Sequence, residues 1–169
     1  MRTASITRNT KETQIALTLN LDGQGKSEVN TGIGFLDHML TSFARHGLFD
    51  LTVEVHGDLE VDSHHTIEDT GIVLGTAIAQ AVGDKKGIVR FGSVILPAER
   101  VGTFETEMVR EFFYAVSYTA SMNLHIRELA GSNTHHLIEA IYKAFAKALD
   151  AATTTDPRIA DVLSTKGSL

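Results

Sequence analysis

One short motif occurs twice in this sequence, and its residue types are those that bind transition metals. His64-His65-x-x-Glu68 recurs as His135-His136-x-x-Glu139, displaced by 71 residues. On a helix, residues i and i+4 share a face, whereas residue i+1 points about 100° away. Each motif therefore offers one His/Glu pair for a cation and one histidine directed elsewhere. If the two helix starts face each other across an approximate two-fold axis, the spacing predicts two metal ions, one bound by His64, Glu68 and His136 and the other by His135, Glu139 and His65.

Two further histidines are candidates for a fourth ligand. His38 lies in a stretch of helical spacing, and His125 points away from the apolar face formed by Leu124 and Ile126. Imidazole and carboxylate without thiolate suit Mn(II), Fe(II), Co(II) or Zn(II), and a coordination number above four would favour manganese or iron. A single His pair at a helix start is more often a polar surface cluster. Two pairs with Glu at the same offset favour a metal site.

The elements that carry these motifs repeat along the chain in the same order. Alternating apolar residues predict strands over 13–21 and 51–55, and helical spacing predicts helices over 35–47 and from 63 to about 82. A second helical stripe (104–113), a short strand at Leu124 and Ile126, and a long helix (137–149) follow. We infer an α+β fold in which a single domain, residues 1–169, consists of two duplicated half-domains, about 1–87 and 88–169. Each would be a small β-sheet with two helices on one face.

The two half-domains differ in length. Ahead of its first helix the first half has 34 residues, Met1–Gly34, whereas the second has only about 16, Ile88–Thr103. The second half is therefore expected to be shortened by one or two strands.

Composition excludes several classes of protein. The chain has 169 residues, a formal net charge of −6, 43% hydrophobic and 21% charged residues, and no cysteine. These values are typical of a globular domain and exclude disulfides, thiolate nucleophiles and cysteine-bound zinc. The chain has no long basic block for nucleic acid or an anionic membrane, and no apolar run of about 20 residues for a membrane span. We expect a soluble, cytoplasmic protein with no nucleic-acid or membrane partner.

Six ordered segments resemble one enzyme family over nearly the whole chain. They are RNTKET (8–13), TGIGFLDHML (31–40), FARHGLFDL (43–51), HHTIEDTGIVLG (64–75), NTHHLIEA (133–140) and STKG (164–167). Together they resemble imidazoleglycerol-phosphate dehydratase of L-histidine biosynthesis. The resemblance implies a ribosomal protein S5 domain 2-like fold and a hydro-lyase that converts D-erythro-imidazole glycerol phosphate to imidazole acetol phosphate. It also implies two Mn(II) ions per subunit and a homo-oligomeric shell of 24 subunits with sites between subunits.

The same resemblance implies roles for individual residues. It places one manganese on His38, His65, His135 and Glu139, and the other on His64, Glu68, His125 and His136. Glu12 and His46 match catalytic and substrate-contacting positions, and Arg90, Lys143, Ser164 and Lys166 match positions that bind the substrate phosphate. The carbon that loses its proton has no adjacent carbonyl, so the imidazole ring must act as the electron sink, and Glu12 is expected to move that proton. By composition alone, the run 8–13 is equally typical of a solvated approach to a strand, and the tail 164–167 of a frayed terminus.

One segment departs from the family pattern. After Arg90-Phe91-Gly92 the family continues through two strands, whereas here about 25 residues, including a phosphate-binding arginine, have no counterpart. The difference is either a true deletion or a segment omitted or edited out of the chain. A true deletion would expose a sheet edge and uncover helix faces, which favours omission or editing. Two alternative functions follow: a catalytically impaired, truncated shell subunit that binds Mn(II) and oligomerises, and, more distantly, a two-metal hydrolase.

Overall fold

The computed structural model describes residues 1–96, 106–129 and 133–164. In this part the elements follow in the order β1 (Thr3–Asn9), β2 (Thr13–Asn20), β3 (Ser27–Asn30), α1 (Gly34–Gly47), β4 (Asp50–Gly57), α2 (His64–Val82), α3 (Thr106–Thr119) and α4 (Thr134–Thr153). The fold is α+β, as predicted. The expected helices and strands of the first half are confirmed to within about two residues at each end. The start of the second helical stripe, at residue 104, lies outside the described residues.

The four strands form one mixed sheet in the order β1-β2-β4-β3. β1 with β2 and β2 with β4 are antiparallel pairs, and β3 with β4 is a parallel pair. Along β2 and β4, buried and exposed residues alternate, which is the pattern of a sheet with one face on the core. Helices α1 and α2 cover that face.

The helices of the second half pack on those of the first, α3 on α2 and α4 on α1. Glycines on α2 permit the close approach of α3, since a Cβ at Gly75 would lie 2.5 Å from the carbonyl oxygen of Val116. The rings of Phe43 and Phe145 stack at a centroid distance of 5.6 Å and join α1 to α4. Tyr142 of α4 contacts Phe112 of α3 at 5.1 Å. The two halves therefore share one core.

The described residues of the second half contain two helices and no strand. The bridge between Ile88 and Thr155 is the isolated β pairing found there. The prediction of a short strand at Leu124 and Ile126 is wrong, because residues 122–129 have no regular structure and no described neighbouring strand pairs with them. On α3, Tyr114 and Tyr118 are 66% and 71% exposed. An exposed aromatic face on this helix is expected if the second half lacks strands that would cover it.

None of the helices in the described part of the chain is long and apolar enough to cross a lipid bilayer.

Candidate active site

Three of the predicted metal ligands converge where α1 meets the start of α4. One ligand atom from each of His38, His135 and Glu139 lies within 4.8 Å of the other two. Nε2 of His38 is 4.0 Å from Oε1 of Glu139, and the ring of Phe35 contacts the ring of His135 edge-on at a centroid distance of 4.9 Å. Two imidazoles and a carboxylate form the donor set of a transition-metal site. We call these three residues the α1/α4 cluster.

Side-chain hydrogen bonds anchor the two helix starts that carry this cluster. Asp37, which precedes His38, accepts from the Thr31 hydroxyl at 2.6 Å and from the Thr31 backbone N–H at 2.8 Å, both at Oδ1. At the other helix, the Asn133 side chain accepts from the backbone N–H of His135 at 3.1 Å. The Asn133 bond is an N-cap that satisfies a backbone N–H of the first turn of α4. The Asp37 bonds tie the segment before α1 to the turn that carries His38.

The charge of Glu139 is held by its neighbours on α4. Nζ of Lys143 is 2.5 Å from Oε1 of Glu139, and Nδ1 of His136 is 3.7 Å from its Oε2. The hydrogen bond from Lys143 is the main reason that the pKa of Glu139 is lowered. A carboxylate, not a carboxylic acid, therefore faces the cluster at neutral pH. His136 was expected to point away from this face, but residues i and i+3 are also neighbours on a helix.

The ring of His136 has a nitrogen that lacks a partner. Its Nε2 is shielded from solvent and makes no hydrogen bond. A buried polar atom without a partner costs free energy unless a ligand satisfies it. This atom therefore fits the metal-ligand role predicted for His136.

The first motif lies at the start of α2. Nε2 of His64 is 3.4 Å from Oε2 of Glu68, one turn later. As predicted, His65 is turned away from this pair. Its Nδ1 is 3.0 Å from Oδ2 of Asp58, and its Nε2 is 3.9 Å from Oε2 of Glu12. The hydrogen bond to Asp58, followed by the charge of Glu12, raises the pKa of His65.

Within the described part of a single chain, the two motifs do not combine into one metal site. The α1/α4 cluster is the group of three candidate ligands found there, and it contains no residue of the first motif. The two sites predicted from the spacing, each with ligands from both motifs, are therefore not formed within the described part of one chain. His125 is exposed in the irregular segment 122–129.

The predicted substrate-side residues fall into two places. His46 on α1 is half-buried, and burial, followed by the charges of Lys143 and Lys147, lowers its pKa. Arg90, at a φ of 74°, donates from Nη1 to the carbonyl oxygen of Leu163 at 2.6 Å, which brings it beside Ser164 in the chain. Lys166 lies outside the described residues.

Three charged residues of this region were not identified from the sequence. Asp58 holds His65, Asp69 is buried against the loop that carries Glu12, and Lys147 lies near His46. The burial of Asp69 could have been predicted, because it lies between the apolar residues Ile67 and Leu74 on the helix that packs on the sheet. Asp58 gave none, since a Gly-Asp pair is typical of any turn.

The family model described as imidazoleglycerol-phosphate dehydratase matches residues 31–100 and 95–149. The protein of that name from Lachnoclostridium phytofermentans is 56% identical over 193 positions, covering 99% of this chain and 98% of the relative. The one from Ruminiclostridium cellulolyticum is 51% identical over 194 positions, covering all of both chains.

Two crystal structures of imidazoleglycerol-phosphate dehydratases are similar to this chain in fold. The crystal structure of imidazoleglycerol-phosphate dehydratase from Staphylococcus aureus has a TM-score of 0.80 at 37% identity and covers 91% of this chain and 99% of its own. That of the enzyme from Pyrococcus furiosus, in complex with (S)-C348, has a TM-score of 0.82 at 30% identity and covers 97% of this chain and 100% of its own.

The alignments also locate the shortfall in the second half. The alignment with the L. phytofermentans protein runs over 193 positions although this chain has 169 residues, so at least 24 positions of it lack a counterpart. The two stretches matched by the family model meet at residues 95–100, which is where the sequence departs from the family pattern. The chain belongs to the imidazoleglycerol-phosphate dehydratase family, enzymes of the lyase class that act in histidine biosynthesis.

Proposed function

We propose that this chain catalyses the metal-dependent dehydration of D-erythro-imidazole glycerol phosphate to imidazole acetol phosphate, with two Mn(II) ions per subunit. The observation that carries the proposal is the α1/α4 cluster, in which ligand atoms of His38, His135 and Glu139 lie within 4.8 Å of one another. Family membership supplies the reaction, and the cluster supports its dependence on a metal. The substrate is a small phosphate ester, so no macromolecular ligand is involved.

The donors present fit the proposed ions. One ion would take His38, His65, His135 and Glu139, and the buried Nε2 of His136 is a ligand atom available to the other, together with His64, Glu68 and His125. Nitrogen and carboxylate donors without sulfur match Mn(II). When bound, the ions would supply Lewis-acid polarisation of the substrate's imidazole ring.

The ligands of the first motif would come from a neighbouring copy. His64, His65 and Glu68 are absent from the cluster of their own chain, yet Nε2 of His64 lies only 3.4 Å from Oε2 of Glu68, a pair that could bind one ion. A closed homo-oligomer repeats one interface, so every site would receive the same ligands from the next subunit. The family resemblance implies a shell of 24 subunits, and we propose that this chain self-associates into such a shell in the cytoplasm.

Proton transfer and phosphate binding fall to residues outside the metal ligands. Glu12 has a half-exposed carboxylate 3.9 Å from Nε2 of His65, so it can reach a substrate held at the metal site and act as acid or base there. His46 and Lys143 lie close together near Glu139, and Arg90, Ser164 and Lys166 are the further residues that we propose bind the phosphate.

One alternative rests on a specific observation. The alignment with the L. phytofermentans relative contains at least 24 positions that this chain lacks, and the two stretches matched by the family model overlap at residues 95–100. The family resemblance leads us to expect a phosphate-binding arginine among the missing positions. A chain without it could bind Mn(II) and assemble yet fail to turn over substrate. This alternative is a catalytically impaired shell subunit.

The deciding experiment compares Glu12→Gln with the wild-type chain in an assay of imidazole acetol phosphate formation with and without Mn(II). We expect Mn(II)-dependent turnover in the wild type and a loss of about 100- to 10,000-fold in kcat for Glu12→Gln, with Mn(II) binding retained. Glu28→Gln, an exposed carboxylate on β3, is the matched control and keeps full activity. A wild type that binds Mn(II) and assembles without forming product would establish the impaired subunit instead.

A further inference from the structure

The loop that carries Glu12 is anchored to a buried carboxylate on α2. Asp69 is 7% exposed, and each of its oxygens has a partner from the β1–β2 hairpin. Oδ1 is 2.9 Å from Nη2 of Arg8 at the end of β1, and Oδ2 accepts from the hydroxyl of Thr13 at the start of β2, at 2.5 Å. Arg8 and Thr13 stand on either side of Glu12. The carboxylate therefore holds both ends of the loop.

The hydrogen bonds inside the loop complete this arrangement. The hydroxyl proton of Thr13 is used on Asp69, so its oxygen can accept from the hydroxyl of Thr10, 3.1 Å away. Oγ1 of Thr10 then accepts the backbone N–H groups of Glu12 at 3.1 Å and of Thr13 at 2.9 Å. One chain of donors thus runs from the backbone at Glu12, through two hydroxyls, to the buried carboxylate.

A second contact ties the same loop to His65. The backbone carbonyl of Glu12 accepts from the backbone N–H of Asp58 at 3.1 Å, and the carboxylate of Asp58 binds Nδ1 of His65. With the backbone fixed on both sides, the Glu12 carboxylate has only its own side-chain torsions left to lose when it meets substrate. Preorganisation of this kind reduces the entropy cost of reaching the reactive geometry.

We propose that Asp69 is a positioning residue for Glu12, acting through Thr13 and Arg8 and touching neither metal nor substrate. The proposal rests on the acid/base role of Glu12 proposed above. It assigns a function to the buried Thr13, which is only 1% exposed although its side chain is polar. It also explains why the polar run 8–13 continues into a strand whose other inward residues are apolar.

Thr13→Val tests the proposal because valine keeps the shape of threonine and removes the hydroxyl. We expect kcat to fall about 10- to 100-fold with the substrate KM within about twofold of wild type. Thr13→Ser, which restores the hydroxyl, is expected to recover most of the lost kcat. Asp69→Asn leaves one acceptor oxygen for two donors and is expected to lower kcat in the same way, so the test survives if Thr13→Val folds poorly.

Hydrogen exchange gives a readout that does not depend on turnover. In the unliganded chain, Thr13→Val should accelerate exchange at the amides of residues 10, 12 and 13 by about 10-fold or more, while the β2–β4 ladder keeps its protection. Unchanged kcat in Thr13→Val, or unchanged exchange in the loop, would overturn the proposal. A wild type that forms no product would defeat the proposed function alone, and exchange would still decide whether Asp69 holds the loop.

Discussion

The packing of the second half on the first can be tested at one glycine. Gly75 lies on α2 where α3 crosses it, and a Cβ there would lie 2.5 Å from the carbonyl oxygen of Val116, 3.0 Å from its Cα and in overlap with Oγ1 of Thr119. Thr119 could turn its hydroxyl away, but the Val116 backbone belongs to a helix and cannot yield without moving α3. Gly75→Ala therefore forces the two helices apart.

The expected magnitude follows from two opposing effects. Overpacking a close contact of this kind costs about 1 to 3 kcal/mol. Replacing glycine by alanine in a helix interior returns about 0.5 to 1 kcal/mol of backbone entropy. Because the obstructing atoms are helix backbone, the upper part of the overpacking cost applies, about 2 to 3 kcal/mol. Gly75→Ala should therefore lower the free energy of unfolding by about 1 to 2.5 kcal/mol, which for a chain of this size is roughly 2 to 10 °C in Tm.

Urea unfolding followed by circular dichroism measures this change directly. Gly34→Ala is the matched control, because a Cβ there meets nothing within 4 Å, and its stability should be unchanged or slightly higher. The double variant Gly75→Ala/Thr119→Ala should recover only part of the loss, since the Val116 carbonyl remains in place. If Gly75→Ala were as stable as the wild type, α2 and α3 would not pack as closely as described.

Two further predictions concern the site. Glu139→Gln should weaken Mn(II) binding by about 10-fold or more in an electron paramagnetic resonance titration. The control Glu54→Gln removes the carboxylate of the exposed His56–Glu54 pair and should leave the Mn(II) affinity unchanged. Equal Mn(II) affinities of Glu139→Gln and the wild type would exclude Glu139 as a ligand. The pKa of His46 is lowered from its ordinary value of 6.5 in the folded chain. At a pH between these two values, His46 binds more protons in the unfolded chain than in the folded chain. The free energy of unfolding should therefore decrease as the pH falls through this window. An NMR titration of the metal-free chain should place the midpoint of His46 below 6.5 and Lys143→Met should raise it. A midpoint at or above 6.5 would contradict the burial and charges assigned to His46.

The elements of the first half and the candidate metal ligands within each motif could be predicted from the sequence because both depend on local spacing. The i,i+4 pair of His64 and Glu68 and the divergence of His65 follow from helix geometry alone. The meeting of His38 with His135 and Glu139 does not, because it depends on how α1 packs on α4, nearly 100 residues later in the chain. The prediction of a short strand at Leu124 and Ile126 is wrong for a related reason. A strand needs a partner strand, and an alternating apolar pattern does not show that one is present.

The contacts of Asp58 and Asp69 could not be predicted from the sequence. They connect the proposed proton transfer with the proposed metal binding. Asp69 contacts the Glu12 loop at Arg8 and Thr13, and Asp58 contacts it at the backbone of Glu12 and also binds His65. The proposed acid/base group, Glu12, and the proposed metal ligand His65 are therefore held by the same first-half framework, which is fully described and does not include the segment near residues 95–100. A shortfall there would remove phosphate contacts and cover from α3, while leaving the distance between Glu12 and His65 as it is. Loss of the segment should thus appear as weak substrate binding, not as loss of the proton-transfer step.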